Sequence, residues 1–479
     1  MRRTPDEESE VVAAASPPGA AALPRALGGR LGGLSLRRQV WVLAIWPLLE
    51  QVMAFLIGTV DLWLAAWLKP EALAVAANDA LGVAGYVNWL MGLMMGSVGV
   101  GASALVARAI GGRHKRLANA ALGQAILLAL GVGLVFGMFL YTAAGPIAQI
   151  VGVDGRAHGL CVTYLRIISI AAPMSSLLFV GGACLRAAGD TRTPFVVVVM
   201  VNIVNVAASL LFVYGPAPVG GHGVAGIAAG TSVAWAVGAV LILFVLFRGN
   251  RLIRLRPARL KPHWHTAKRI IRVAIPQLAE GLVIWGGNFL VIIIIGHLAT
   301  GGTLGSHMWA VRIESASFLP GLALAGAASI LVGQYLGAND PRMAMRSALF
   351  CCGVAVATMS LSGLVFLTLG DKLIALFSPV PIHNELVPQL LFVCGWVQPM
   401  FALYVVLSSA IKGAGDTRST MLIGYLSLFL FRLPLVYLFG VYLDMGLVGV
   451  WYGLCTEMAV RGLMFAARFF HGGWLRTRV

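Results

Sequence analysis

The sequence predicts an all-α integral membrane protein of twelve transmembrane helices in two parallel six-helix lobes. Composition, an internal repeat and the placement of basic residues carry that reading. Apolar residues make up 59% of the 479-residue chain and charged residues 11%, against about a quarter charged in soluble domains. The run Leu-Arg-Ala-Ala-Gly-Asp-Thr-Arg-Thr at 185–193 recurs as Ile-Lys-Gly-Ala-Gly-Asp-Thr-Arg-Ser at 411–419, an offset of 226. The same offset carries Pro173 onto Pro399 and 101–106 onto 327–332, and an offset of 229 carries Pro47 onto Pro276. The chain is therefore two related halves.

Apolar runs long enough to cross a bilayer lie at 40–68, 73–107, 117–142, 158–182, 194–215, 223–247, 267–298, 303–336, 344–369, 386–411, 420–442 and 446–470. They are continuous and lack period-two alternation, which selects helices over a barrel. Of the 35 Lys and Arg residues, 28 fall in the termini, the even-to-odd connections (2–3, 4–5 and onward) and the span ends that adjoin them, three in the opposite loops (Lys69, Arg156, Lys372) and four deeper within helices. That imbalance places both termini in the cytoplasm of a multi-pass protein of the inner (plasma) membrane. It also explains the net charge of +17 without nucleic acid as a partner. Six helices per half make the halves parallel repeats about an axis along the membrane normal.

Residues 1–39 are Ala/Pro/Gly-rich with mixed charge and read as a disordered cytoplasmic tail. The lobes are assigned to 40–247 and 267–470, joined by a basic cytoplasmic linker at 248–266 that lies against anionic headgroups. Residues 471–479 are a cytoplasmic C-terminal tail. The six cysteines form no CxxC pair and sit mostly in apolar runs, so buried free thiols are expected.

Ionisable groups inside a membrane are costly and face a cavity or a partner. Asp61 lies late in the first helix with no basic residue within a turn on its own helix. Its charged form is disfavoured in apolar surroundings, which suits a group that takes up and releases protons; the plainer alternative is a helix-end carboxylate reaching water. Asn202, Asn205 and Ser209 form one stripe on the fifth helix, and Thr231 on the sixth is able to join them. Such groups either bind helices together or hydrogen-bond Asp61. The eleventh helix has Leu428 and Phe431 at the corresponding offsets, so the polar cluster belongs to the first half.

Glu280 follows Pro276 by four residues, open equally to a coupling role and to complementing the helix dipole. Glu50, three after Pro47, is its approximate counterpart and a weaker candidate, and Asp79 reads as a helix-end residue. Arg312 and Glu314 are two apart and do not face each other, whereas Glu457 and Arg461 are spaced to pair. In the Gly-Asp-Thr-Arg loops, Gly permits the turn, Asp caps the next helix and Arg meets headgroups or carbonyls. No phosphate-binding loop, metal-binding His spacing or Gly-x-Ser-x-Gly element is present, so no cofactor or metal and no enzyme is expected.

An internal repeat in so apolar a chain points to a transporter with its site between the halves. Over about residues 40–475 the chain resembles the multidrug and toxic compound extrusion (MATE) family. The elements that carry the resemblance are the Pro47…Asp61 spacing, the two Arg/Lys-x-x-Gly-Asp-Thr-Arg loops, Asn202 and Asn205, Gly223-Val224-x-Gly226, Pro276…Glu280 and Val332 to Gly337. The resemblance implies a MATE-like fold whose lobes enclose a V-shaped cavity, and export of amphiphilic, mostly cationic small molecules. It assigns Asp61, with Asn205 and Thr231, to coupling-cation binding, and Glu280 to the second lobe. Ser209 stands where many members have a second Asp. Residues 398–402 offer no counterpart to the tenth-helix Asp of sodium-coupled members. H⁺ coupling through Asp61 is therefore favoured over Na⁺, with Pro47 as the hinge of the first helix and the monomer as the working unit. The alternatives are Na⁺-coupled export, a lipid-linked oligosaccharide flippase of related fold, a channel, or a non-transporting scaffold.

Overall fold

The computed structural model describes Leu27 and residues 31–477, apart from 67–70, 151–154, 217, 250–251, 297, 299–302 and 377–380. Within helices, the side chains of 54–63, 71–76, 78–79 and a few neighbours also lie outside the description. The first half consists of α1 (Leu36–Ala66), α2 (Glu71–Gly111), α3 (Lys115–Ile150), α4 (Gly155–Ala187), α5 (Arg192–Tyr214) and α6 (Gly223–Arg248). The second half comprises α7 (Trp264–Gly296), α8 (Thr303–Ser317), α9 (Leu319–Gly337), α10 (Pro341–Ala375), α11 (Pro381–Gly413), α12 (Thr417–Leu426), α13 (Leu433–Tyr437) and α14 (Gly446–His471).

The twelve expected spans are all present. Ten of them are long and apolar enough on their described residues alone. The other two, α1 and α14, have 31 and 26 residues, enough for a hydrocarbon core about 30 Å thick. α14 carries Glu457, Arg461 and Arg468, which lowers its hydropathy.

Two spans are less regular than their sequence pattern. The eighth breaks at Phe318 into α8 and α9, because Pro320 lacks an N–H and its ring clashes with the preceding turn. The eleventh widens into π-helical segments at Ser427–Arg432 and Leu438–Tyr442, on either side of α13 and its Pro434. In contrast, α1 runs through Pro47 and α7 through Pro276 without a break.

The ends of the assigned lobes also differ from the sequence reading. α1 begins at Leu36, inside the stretch assigned to the tail, and Leu31 is buried against the second half. The described part of the linker is tethered to α3: Asn119 Oδ1 accepts from Arg254 N, and Gln124 bonds the carbonyl of Lys261 and the N–H of His263. Its own Ile253 and Leu255 are buried in the core of the first half. Trp474 is likewise buried, so the C-terminal segment docks on the protein.

One core cluster lies wholly within each half, and two more cross between them, where α1, α2 and α3 meet α7 and α9 of the other half. This seam is tightest where α2 and α9 end, near the basic loops. A Cβ at Gly111 would stand 1.8 Å from the Gln334 carbonyl oxygen, and one at Gly337 2.0 Å from that of Arg108. Gln334 Nε2 also donates to Ala187 O at 2.9 Å.

Gly111→Ala is expected to force α2 from α9 at about 1–3 kcal/mol, lowering the thermal unfolding midpoint of the purified protein in detergent. Gly131→Ala, where a Cβ meets nothing within 4 Å, leaves the midpoint unchanged or raises it.

Candidate functional site

The first-half cluster assembles as a stripe on α5 facing α6. Asn205, Ser209 and Thr231 are all buried. Asn205 Nδ2 donates to Thr231 Oγ1 at 3.0 Å, and that hydroxyl donates to Ile227 O at 3.1 Å. Three buried oxygens of the stripe, Asn202 Oδ1, Asn205 Oδ1 and Ser209 Oγ, have no hydrogen-bond partner among the described residues. Burying such groups unsatisfied is costly, so the stripe is suited to accept a proton-bearing or cationic group.

The Asp61 side chain lies outside the described residues, although its backbone belongs to α1. Helix placement still fixes its level. Tyr214 at the end of α5 donates to Leu64 O at 3.2 Å, joining α5 to α1. At about 1.5 Å of rise per residue, Asp61 lies about 4.5 Å back along α1 from that bond and Ser209 about 7.5 Å back along α5. The two Cα positions thus share a level to within about one helical turn.

The repeated loops form matching clamps on α1 and α7. Gly189 and Gly415 adopt φ of 88° and 90°, in the left-handed region that favours glycine. Asp190 and Asp416 then cap the next helix through Thr193 N and Ser419 N, as expected. The Thr191 hydroxyl donates to Val42 O on α1, and the Thr417 hydroxyl to Val273 O on α7, both at 2.9 Å. Sequence reasoning missed the partner of the basic residue at the head of each motif. Arg186 pairs with Glu50 at 2.9 Å, and Lys412 pairs with Glu280 at 3.0 Å. Glu280 also accepts from Thr420 at 2.9 Å. The second-lobe candidate is thus an engaged carboxylate. The signal available in the sequence was the parallel recurrence of the glutamates and the basic residues at nearly one offset.

A third cluster lies wholly in the second half. Glu457 Oε1 is 2.6 Å from Arg461 Nε, the expected i, i+4 pair, and its Oε2 is 2.9 Å from Arg432 Nη2. Arg432 also donates to Asn288 at 2.6 Å, and Arg461 donates to Ser427 at 2.7 Å while lying over the Tyr404 ring. Sequence reading missed Arg432 as a partner. Beside this cluster, Glu314 on α8 accepts from the Cys394 thiol at 3.2 Å, and Cys394 in turn accepts from Gln398. A carboxylate therefore stands next to the tenth-span segment that itself carries none. All six cysteines are buried and free, as expected, and no group of metal-ligating side chains occurs among the described residues.

Comparison with known proteins adds a family and a fold. The MatE family model matches residues 48–211 and 276–438, one copy in each half. The probable multidrug resistance protein NorM of Thermotoga maritima is 25% identical over 452 residues, covering 93% of this chain and 94% of that protein. The multidrug resistance protein PmpM of Pseudomonas aeruginosa is 26% identical over 91% of this chain and 92% of its own length. The outward-facing structure of a multidrug resistance MATE family transporter of the MOP superfamily has a TM-score of 0.85 at 21% identity, covering 93% of this chain and 98% of that one.

Removing the shared carboxylate of the Arg432–Glu457–Arg461 cluster leaves two buried guanidiniums unanswered. Glu457→Leu is therefore expected to destabilise the protein by about 3–5 kcal/mol. The triple variant Arg432→Leu/Glu457→Leu/Arg461→Leu should recover much of that loss, as read by thermal unfolding in detergent.

Proposed function

The chain belongs to the MatE family of membrane transporters. From that membership we propose that it exports amphiphilic, mostly cationic small molecules by alternating access, driven by inward H⁺ flux through Asp61. The observation that carries the coupling site is the α5–α6 cluster, where the Asn205 and Ser209 oxygens have no partner among the described residues and Ser209 lies within about one helical turn of the level of Asp61. A proton entering from outside neutralises Asp61. The neutral carboxyl is able to donate to one of those oxygens, drawing α1 towards α5 about Pro47. That movement releases substrate outwards, and proton loss to the cytoplasm resets the cycle. The protein works in the inner (plasma) membrane with both termini cytoplasmic, as a monomer among membrane lipids.

Glu280 is less suited to the coupling step, because Lys412 and Thr420 already occupy its oxygens. Arg432 and Arg461 close around Glu457 instead of presenting a cationic cavity to a lipid-linked diphosphate. That arrangement favours drug export over the flippase. Energetics bound the stoichiometry. At 100 mV a proton supplies about 2.3 kcal/mol from the potential and about 1.4 kcal/mol per pH unit. Export of one monovalent cation per proton cancels the electrical part, leaving about tenfold accumulation per pH unit. Steeper export requires more than one proton.

Proteoliposomes loaded with a fluorescent cationic dye test this reading. An inward proton gradient should release dye from wild type and fail to do so in Asp61→Asn. Asn205→Leu should slow release about tenfold, through loss of a hydrogen bond to the coupling group. Release driven by an inward sodium gradient alone would overturn proton coupling.

A further inference from the structure

At the basic end of the protein, a cavity of about 100 Å³ opens between the start of α7, the second Gly-Asp-Thr-Arg loop and the C-terminal segment. Arg269, Arg272 and Arg418 line it, together with Asp416, Thr417 and Thr477. Asp416 is the one carboxylate among these lining residues, and Arg468 already donates to its Oδ2. Arg272 and Arg418 are exposed. Arg108, from the end of α2 in the other half, lies close enough to Arg269 for their charges to oppose. Its Nη1 donates to Thr477 O at 2.6 Å. The cavity wall also includes the start of α12, where the Asp416 side chain caps Ser419 N while the first N–H groups of the helix have no intrahelical acceptor.

The geometry points to a binding site for a phosphate group in this cavity, at the seam between the halves. Guanidinium forks match phosphate oxygens in pairs, and basic pockets between membrane helices at the cytoplasmic face hold phosphorylated headgroups. The volume suits one phosphate with its attached chain outside. Two sources present that group here: an anionic phospholipid headgroup and soluble phosphate. Arg108 of the first half meets the cavity wall through Thr477 O, so the site borders the seam.

The full-length protein, purified in detergent and stripped of lipid, is titrated at constant ionic strength with short-chain phosphatidylglycerol, short-chain phosphatidylcholine or inorganic phosphate. Thermal unfolding is the first readout and native mass spectrometry of retained lipid the second. Phosphatidylglycerol or phosphate should raise the unfolding midpoint saturably. Arg272→Gln/Arg418→Gln should weaken that response about tenfold or more while leaving the midpoint without ligand unchanged. A response to phosphate assigns the soluble source, and a response to phosphatidylglycerol alone assigns the lipid. Equal responses in wild type and double variant, equal responses to both lipids, or no response at all would overturn the site. Binding that appears only after removal of residues 478–479 would mean that the chain's own end fills the cavity, and would overturn it too.

Discussion

A charge in the interior of a membrane must meet an opposite charge or a ring of hydrogen bonds, and the architecture of this protein depends on how each half meets its own. Glu50 on α1 and Glu280 on α7 are each held by a basic residue from the end of the fourth span of the half, Arg186 or Lys412. The same loop sends a threonine hydroxyl to a carbonyl of that helix and an aspartate to cap the next. One nine-residue motif thus fixes the first helix of a half against its fourth and fifth. The clamp is local in sequence on one side and distant on the other, so it ties the start of each six-helix unit to its middle.

On this shared frame the two halves have diverged in polarity. The first half leaves acceptor oxygens of Asn202, Asn205 and Ser209 without partners among the described residues, in a buried stripe. The second half puts Arg432, Glu457 and Arg461 into mutual contact and engages Glu280 fully. A site that must change its protonation or ion occupancy needs unmet hydrogen-bonding capacity; a tightly paired network resists such change. Buried polar atoms without partners among the described residues occur in both halves, but the stripe of three acceptors on one helix belongs to the first.

Much of this was legible from the chain alone, and the limits have physical causes. Spans announce themselves because a bilayer demands continuous apolar helices. The Glu457–Arg461 pair and the Asp190 and Asp416 caps are short-range, so spacing reveals them. The partners of Glu50 and Glu280 lie 136 and 132 residues away and meet only through helix packing. Arg432 and the Cys394–Glu314 contact are hidden for the same reason. The break at Phe318 and the π-helical segments near Pro434 show the opposite limit: proline announces irregularity without saying which form it takes. The start of α1 at Leu36 was obscured because Arg37, Arg38 and Gln39 read as tail, while Gln39 in fact accepts from the Tyr335 hydroxyl.

The crossing of α2 and α9 is made by backbone against backbone, with Gly111 and Gly337 at the points of contact and Ala107 against Gly333. Such a surface holds through close van der Waals fit and buries little greasy area. Parting it therefore exposes few apolar side chains and mainly hands peptide carbonyls to incoming water. The free energy of separation is small for the length of the contact, and it falls away within a short displacement because dispersion forces are short-ranged. A joint of this kind behaves as a snap fastener: stiff when shut, yielding little resistance once begun, and leaving no sticky face exposed while open.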